Sequence, residues 1–467
     1  MKSQSVHSLL LALAVAGISA SVAVTSFAGQ ADPTIAGACA NCHKAEAGVL
    51  LGTFDNVAFK AKTIQVKIDD ATELVRFDED EIKVINGAGT SGDGELLKDH
   101  KIRNGREIRI TYVEKDGVKD ALSLMEKPPV KIPADMVMTT ADLETLVARG
   151  PEKGKYFLYD SRPLPRFQEG AIPTAVNLPF PDFDTLAGKL LPRDKDALLV
   201  FYCAGPTCYT SAGSAYQARK LGYTRVKVYR DGMSAWSATN YGVLSARFLK
   251  EAWIDKGIPC VLLDARPASV AAKGFIKGAV AFPAAKAAKL IRKLPPKDAK
   301  APIVIYDGKD GKQAAKVARG LLKTGYGEVM VLSDGFAAWQ AARYEVATGK
   351  IATKASYLPK PKPGEINLDE FKKYAAKLPA DVMIIDVRNA KEAKDGMLRT
   401  AKLIPFEELR NRLAEIPKDK LIVTQCSTGV RAEMAYHALK QLGYVKVGFV
   451  NARIDFEKNG TYNITKE

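Results

Sequence analysis

The sequence predicts an α/β protein of three tandem units, each a parallel sheet flanked by helices, preceded by a small antiparallel β domain. Three observations carry this. The blocks "FLYDSRP" (157–163), "LLDARPAS" (262–269) and "IIDVRNAKE" (384–392) are apolar runs ending in Asp-x-Arg. Each is followed at matched spacing by a second apolar run: "LLVFYC" (198–203), "PIVIYD" (302–307) and "LIVTQC" (421–426). From the Asp to the end of that run is 43 positions in the first two copies and 40 in the third (160 to 203, 264 to 307, 386 to 426). Such self-similarity marks repeated structural units, and apolar strands alternating with helices mark a parallel sheet covered on both faces. By contrast, 49–128 alternates Thr, Ile, Val and Tyr with charged residues and carries Asp-Gly turns, the pattern of a small β-barrel.

At 467 residues the chain is too long for one core. Its net charge of +16 is spread through every region. Nucleic-acid binding needs a clustered basic patch or a known module, so that class is excluded. The spread charge favours anionic small molecules.

Taken in order, Met1-Lys2 and the apolar "LLLALAVAGISASVAV" precede small residues at Ser26 and Ala28. This reads as a secretory signal over 1–28, cut after Ala28, with an uncleaved anchor as the alternative. The expectation is an exported protein, in the periplasm or on the outer surface of a bacterium, with no integral span once the signal is removed. Segment 29–48 carries "ACANCHKAE". Cys-x-x-Cys-His is the attachment pattern of c-type haem, with Cys39 and Cys42 in thioether bonds and His43 as axial metal ligand. One covalent haem c is expected. For the second metal ligand the candidates are His100, Met125 and Met136.

After the β domain come unit one (135–243), unit two (244–346), a Pro- and Lys-rich linker (347–364) and unit three (365–462). Helical segments follow the second strands and end in "LGY", "TGY" and "LGY" (221–223, 324–326, 442–444), then "VKVYRDGMSAW", "VMVLSDGFAAW" and "VKVGFVNARIDF". Three rounds of strand, helix, strand, helix are expected, with units one and two packed as a pair around 243–250. Six cysteines are present: Cys39, Cys42, Cys203, Cys208, Cys260 and Cys426. An even count in an exported chain points to disulfides, but domains of this size do not need them and the spacings look like sites. Cys260, ahead of unit two's first strand, is read as structural.

Taken together, the Asp-x-Arg strand, the second strand ending at cysteine, the helix behind it and the Asp-Gly-x-x-x-Trp ending resemble the rhodanese (thiosulfate sulfurtransferase) family over about two thirds of the chain. The resemblance implies three tandem rhodanese-like domains.

The chemistry of the loops can be read beside it. A cysteine at a strand end facing a helix N-terminus sits among free N–H groups that stabilise a thiolate, a persulfide or an oxyanion. In "QCSTGVR" the resemblance implies Cys426 as nucleophile, with Ser427, Thr428, Gly429, Val430 and Arg431 forming the substrate loop. Phosphatases of the same fold have one more residue between cysteine and arginine, so this length points to sulfur. In "CAGPTC" Cys203 takes the nucleophile position and Ala204, Gly205, Thr207 and Cys208 the loop. Cys208 stands where unit three has its arginine, either as a resolving thiol or as a small residue at the helix start. Unit two has Asp307 at the nucleophile position and is expected to be silent; the resemblance implies a scaffold or a partner-binding surface. Asp386 and Arg388 pin the fold rather than react.

The expected activity is transfer of sulfane sulfur from a small anionic donor such as thiosulfate to a thiol or cyanide, through a cysteine persulfide. The alternative is a haem-bearing electron-transfer or redox-assembly component, with a redox protein partner. Its repeated units would bind sulfur or metalloid oxyanions or partner proteins.

Overall fold

The computed structural model describes residues 46–68, 71–100, 102, 105–457 and 461–465, with 99 and 100 by backbone alone. The signal segment and Cys39, Cys42 and His43 lie outside the described residues; His100 ends the short helix Gly94–His100.

The N-terminal domain is a closed barrel. Strands Val49–Ala58, Thr63–Ile68, Ala71–Phe77, Glu107–Lys115 and Val118–Glu126 pair mostly antiparallel. A parallel seam closes it, Arg76 opposite Asp120 and Phe77 opposite Ala121. The short strand Lys83–Ile85 then continues along the same edge of Val118–Glu126. The period-two pattern places Phe54, Ile64, Val66, Val75, Ile108, Ile110 and Leu124 in one core. At the hairpin between the last two long strands, Asp116 (φ 52°) and Gly117 (φ 69°) take the left-handed conformations of a two-residue turn.

Each repeated unit has a parallel sheet with its Asp-x-Arg strand in an interior position, never at an edge. In unit one the order is Val226–Tyr229, Leu198–Tyr202, Tyr156–Asp160, Val176–Asn177. Unit two has Gly242–Leu244, Val329–Leu332, Ile303–Tyr306, Val261–Asp264 and Val280–Ala281. Unit three has Ala401–Leu403, Val382–Asp386, Leu421–Gln425 and Val447–Phe449. Units one and two interlock: Gly242–Leu244 pairs with unit two's Val329–Leu332, while Val243 also bridges Ala171 of unit one.

The repeated residues do the same job three times. The Asp160–Arg162, Asp264–Arg266 and Asp386–Arg388 pairs are buried, each Arg Nη2 reaching its Asp at 2.5–2.6 Å. The same nitrogen donates to the carbonyl of Gly170, Gly274 or Gly396 eight residues further on. Tyr223, Tyr326 and Tyr444 donate their hydroxyls to the carbonyls of Pro192, Pro295 and Ile416. These contacts tie each helix end to the segment entering the second strand.

Unit three departs from the expected last helix. Units one and two close with helices Gly232–Thr239 and Gly335–Ala341, anchored by the buried Trp236 and Trp339. In unit three, Arg453–Phe456 is instead a strand paired antiparallel with Tyr462–Thr465. The reason is local: "RIDF" alternates with period two and lacks the Trp that staples the helix to the core.

Candidate active site

The barrel packs on the helix behind unit three's thiol-bearing loop, and the segment leaving the barrel reaches the loop of unit one. Ala58 and Ala61 pack on Met434 of unit three's helix Val430–Gln441. On the other side, Val130 N–H donates to the carbonyl of Pro206 in the Cys203 loop. A cavity of about 420 Å³ lies between the barrel and that loop. Arg106 and Lys127 from the barrel and Pro206, Thr207 and Arg230 from unit one line it.

In unit three, Leu421–Gln425 delivers Cys426 to a site where it is 1% exposed. Ser427 and Thr428 lead to Gly429, whose φ of 81° starts the helix at Val430. A Cβ there would stand 3.3 Å from Ala452 N in a left-handed conformation, so the loop requires glycine. Arg431, in the first turn, is mostly buried and grips Glu392 with both terminal nitrogens, at 2.7 and 2.8 Å. Lys60 of the barrel reaches the same carboxylate at 2.8 Å. Burial opposes ionisation of Glu392, but the hydrogen bonds from Arg431 and Lys60 hold its carboxyl down at about 2. Arg431 is raised in turn: burial works against its charge, Glu392 outweighs it and the sulfur of Cys426 adds to the effect.

Glu392 and Lys60 escaped the sequence reading. Glu392 had a local signature, because Asn389 and Glu392 form a capping box. Lys60 had none, since its partner is 332 positions away.

Unit two shows what this loop architecture holds. Asp307 occupies the position of Cys426 and is 1% exposed. Its carboxylate accepts N–H bonds from Gly311 (3.1 Å), Gln313 (3.0 Å) and Ala314 (3.2 Å). The loop and first helical turn form a cradle for an anion, and here the anion is the protein's own side chain.

In unit one, Cys203 is fully buried at the end of Leu198–Tyr202. Its carbonyl accepts from Met233 N–H, and a Cβ on Gly232 (φ 60°) would lie 2.4 Å from that oxygen. That close approach is why Asp-Gly stands there. Cys208 is partly exposed, and its N–H closes the loop on the carbonyl of Gly205 at 3.0 Å. The helix begins only at Thr210, so this loop is longer than unit three's.

Among the described residues, Cys203, Cys208, Cys260 and Cys426 are free thiols. Cys260 is half-buried, and burial pushes its thiol up to about 11. Met136 is packed in unit one's core with its sulfur accepting from Arg219, whereas Met125 stands exposed on the barrel.

A family model described as Rhodanese-like domain matches this sequence three times, at residues 142–239, 246–342 and 367–452. A sulfurtransferase of Allochromatium vinosum is 37% identical over 67 residues, which cover 14% of this chain and 63% of that protein. An HTH-type transcriptional regulator of Mycobacterium tuberculosis is 33% identical over 112 residues, 22% of this chain and 48% of that one. The chain thus spans less than two thirds of the length of either curated relative. Among solved structures, a thiosulfate sulfurtransferase from Pseudomonas aeruginosa aligns at 18% identity and a TM-score of 0.20, over 71% of this chain and 68% of that one. A 3-mercaptopyruvate sulfotransferase from Escherichia coli aligns at 23% identity and a TM-score of 0.19, over 45% and 98%.

Proposed function

This chain belongs to the rhodanese family, carrying three tandem rhodanese-like domains, and from that premise we propose that it is a sulfurtransferase working through a persulfide on Cys426. One observation carries the reading. The strand end that presents Cys426 is the one where, in unit two, an anionic side chain accepts three backbone N–H bonds. A thiolate or persulfide anion at Cys426 gains from the same kind of donors.

The Cys426 thiolate attacks the outer sulfur of thiosulfate, the S–S bond breaks and sulfite leaves, giving Cys426–S–S⁻. A thiolate or cyanide then attacks the terminal sulfur and regenerates the Cys426 thiolate. Arg431 supplies positive charge beside the sulfur, held in place by Glu392. Ser427, Thr428 and Gly429 shape the loop, and the Asp386–Arg388 pair fixes the strand behind it.

The proposal extends to export and to one haem c on Cys39, Cys42 and His43. The electron-transfer alternative keeps its support in that Cys-x-x-Cys-His sequence. Intact mass of the protein purified from its native host reads both, by loss of 1–28 and by a covalent haem increment. Sulfur transfer from thiosulfate to cyanide tests the main reading. An intact protein that moves no sulfur from any sulfane donor removes it.

A further inference from the structure

Unit one's loop differs from unit three's in where its helix starts. Val430 begins the helix four residues after Cys426. Thr210 begins it seven residues after Cys203 and only two after Cys208. The first turn is therefore shared between the two cysteines of "CAGPTC", Thr210 N–H being directed at Cys208 and Ser211 N–H at Cys203. The two sulfurs differ in burial, Cys203 being enclosed and Cys208 partly exposed, and in their other contacts. Cys203 Sγ lies 3.2 Å from the carbonyl of Cys208 and 3.8 Å from that of Gly205, acceptors that hold a thiol proton and disfavour a thiolate. Ser211 Oγ is 3.1 Å away. Cys208 Sγ instead meets the hydroxyl of Thr210 at 3.2 Å, with N–H groups of Thr210 and Ala204 directed at it. The two thiols are close enough to perturb each other's ionisation. Burial pushes Cys203 up, while the neighbouring Cys203 thiol and the donors of Thr210 pull Cys208 down. Unit three's arginine and glutamate are both replaced here, by Cys208 and Arg166, and Arg166 pairs with Glu169.

We propose that unit one is a dithiol site in which Cys208, not Cys203, takes the sulfane sulfur, and Cys203 resolves it to release hydrosulfide. The step rests on the sulfur-transfer reading and goes beyond it. The Cys208 thiolate attacks the outer sulfur of a low-molecular-weight persulfide, whose S–S bond breaks; the donor leaves as a thiol, taking the proton. Cys203 then attacks the inner sulfur of Cys208–S–S⁻. That S–S bond breaks, the Cys203 proton departs with hydrosulfide, and a Cys203–Cys208 disulfide remains. The two thiols supply the two electrons that reduce the sulfur. A small dithiol restores them by exchange.

The test uses the full chain carrying Cys426→Ser, treated anaerobically with one equivalent of glutathione persulfide, with sulfide detection and peptide mass mapping. One hydrosulfide per chain and a Cys203–Cys208 disulfide are expected. Cys203→Ala in that background retains one extra sulfur on Cys208 and loses sulfide release; Cys208→Ala takes up no sulfur. A stable persulfide on Cys203 in the Cys208→Ala chain overturns the inference and leaves sulfur transfer by Cys426 standing. Against misfolding of the variants, the wild-type chain is alkylated at neutral pH. Cys208 reacts first, and faster labelling of Cys203 also overturns the assignment.

Discussion

The Cys426 loop and the Cys203 loop leave the same strand of the same fold, in front of the same buried Asp-Arg pair, and then part company. After Cys426 the chain turns at once through Gly429 into its helix, and an arginine in the first turn is held by Glu392 within electrostatic reach of the sulfur. After Cys203 it runs on, closes a turn at Gly205–Cys208 and starts the helix later. The buried scaffold repeats to within a tenth of an ångström in the Asp-Arg distance. Reactivity therefore resides in the few residues that decide which atom meets the helix N-terminus. Unit two makes the point by default, since its Asp307 fills the cradle and leaves no room for an outside anion.

The largest expected effect comes from removing the nucleophile. Cys426→Ser should lower thiosulfate-to-cyanide transfer by on the order of a thousandfold or more, as loss of a covalent nucleophile does. Steady-state thiocyanate formation measures it. If the variant kept most of the wild-type rate, the carrier would have to be assigned to unit one, and the contrast between the loops would reverse.

Next in size is the shared scaffold, which tests whether the two loops really rest on equal supports. Neutralising one partner of a buried pair leaves an uncompensated charge and costs about 3–5 kcal/mol. Asp386→Asn and Asp160→Asn should each destabilise their own unit by such an amount in urea titrations. A large difference between the two would mean that the loops diverge in their foundations too.

A smaller effect is expected at Arg431. Arg431→Ala removes a charge-assisted contact of about 1.5–3 kcal/mol, or about ten- to a hundredfold in kcat/KM for an anionic donor. Arg431→Lys should recover only part of this, because a lysine cannot hold Glu392 with two parallel bonds. Full recovery by lysine would reduce the Arg431–Glu392 geometry to a matter of charge alone.

Much of this architecture was legible in advance for physical reasons. Asp-x-Arg, the apolar second strands and the LGY tyrosines each satisfy a buried polar or packing requirement within one unit, so they recur in sequence as they do in space. Gly429 and Gly232 were visible as glycines, but their roles depend on neighbours at 452 and 203. What stayed hidden was set between units or by small offsets. Lys60 reaches Glu392 from another domain, the "RIDF" strand replaces a helix, and the later helix start in unit one sets Cys208 just ahead of the first turn. A spacing count finds which residues are equivalent in sequence, but the helix start decides which of them is equivalent electrostatically.

The smallest effect concerns the barrel's hold on unit three, a contact that unit one lacks at its counterpart of Glu392. Lys60 is mostly exposed, so its pair with Glu392 is worth at most about 1 kcal/mol. Lys60→Ala should therefore change stability slightly, with a distinctive pH dependence. The Glu392 carboxyl is depressed from its ordinary 4.5 to about 2 in the folded chain. The stability it contributes is fully present above the ordinary value and fades as pH falls through about 2. The gap between wild type and Lys60→Ala should stay constant from neutral pH down to about 4.5 and close below it. Paired urea titrations along that range measure the gap. A difference unchanged by acid would show that Lys60 acts through its aliphatic stem against the barrel, and the barrel would then have no electrostatic grip on the arginine beside Cys426.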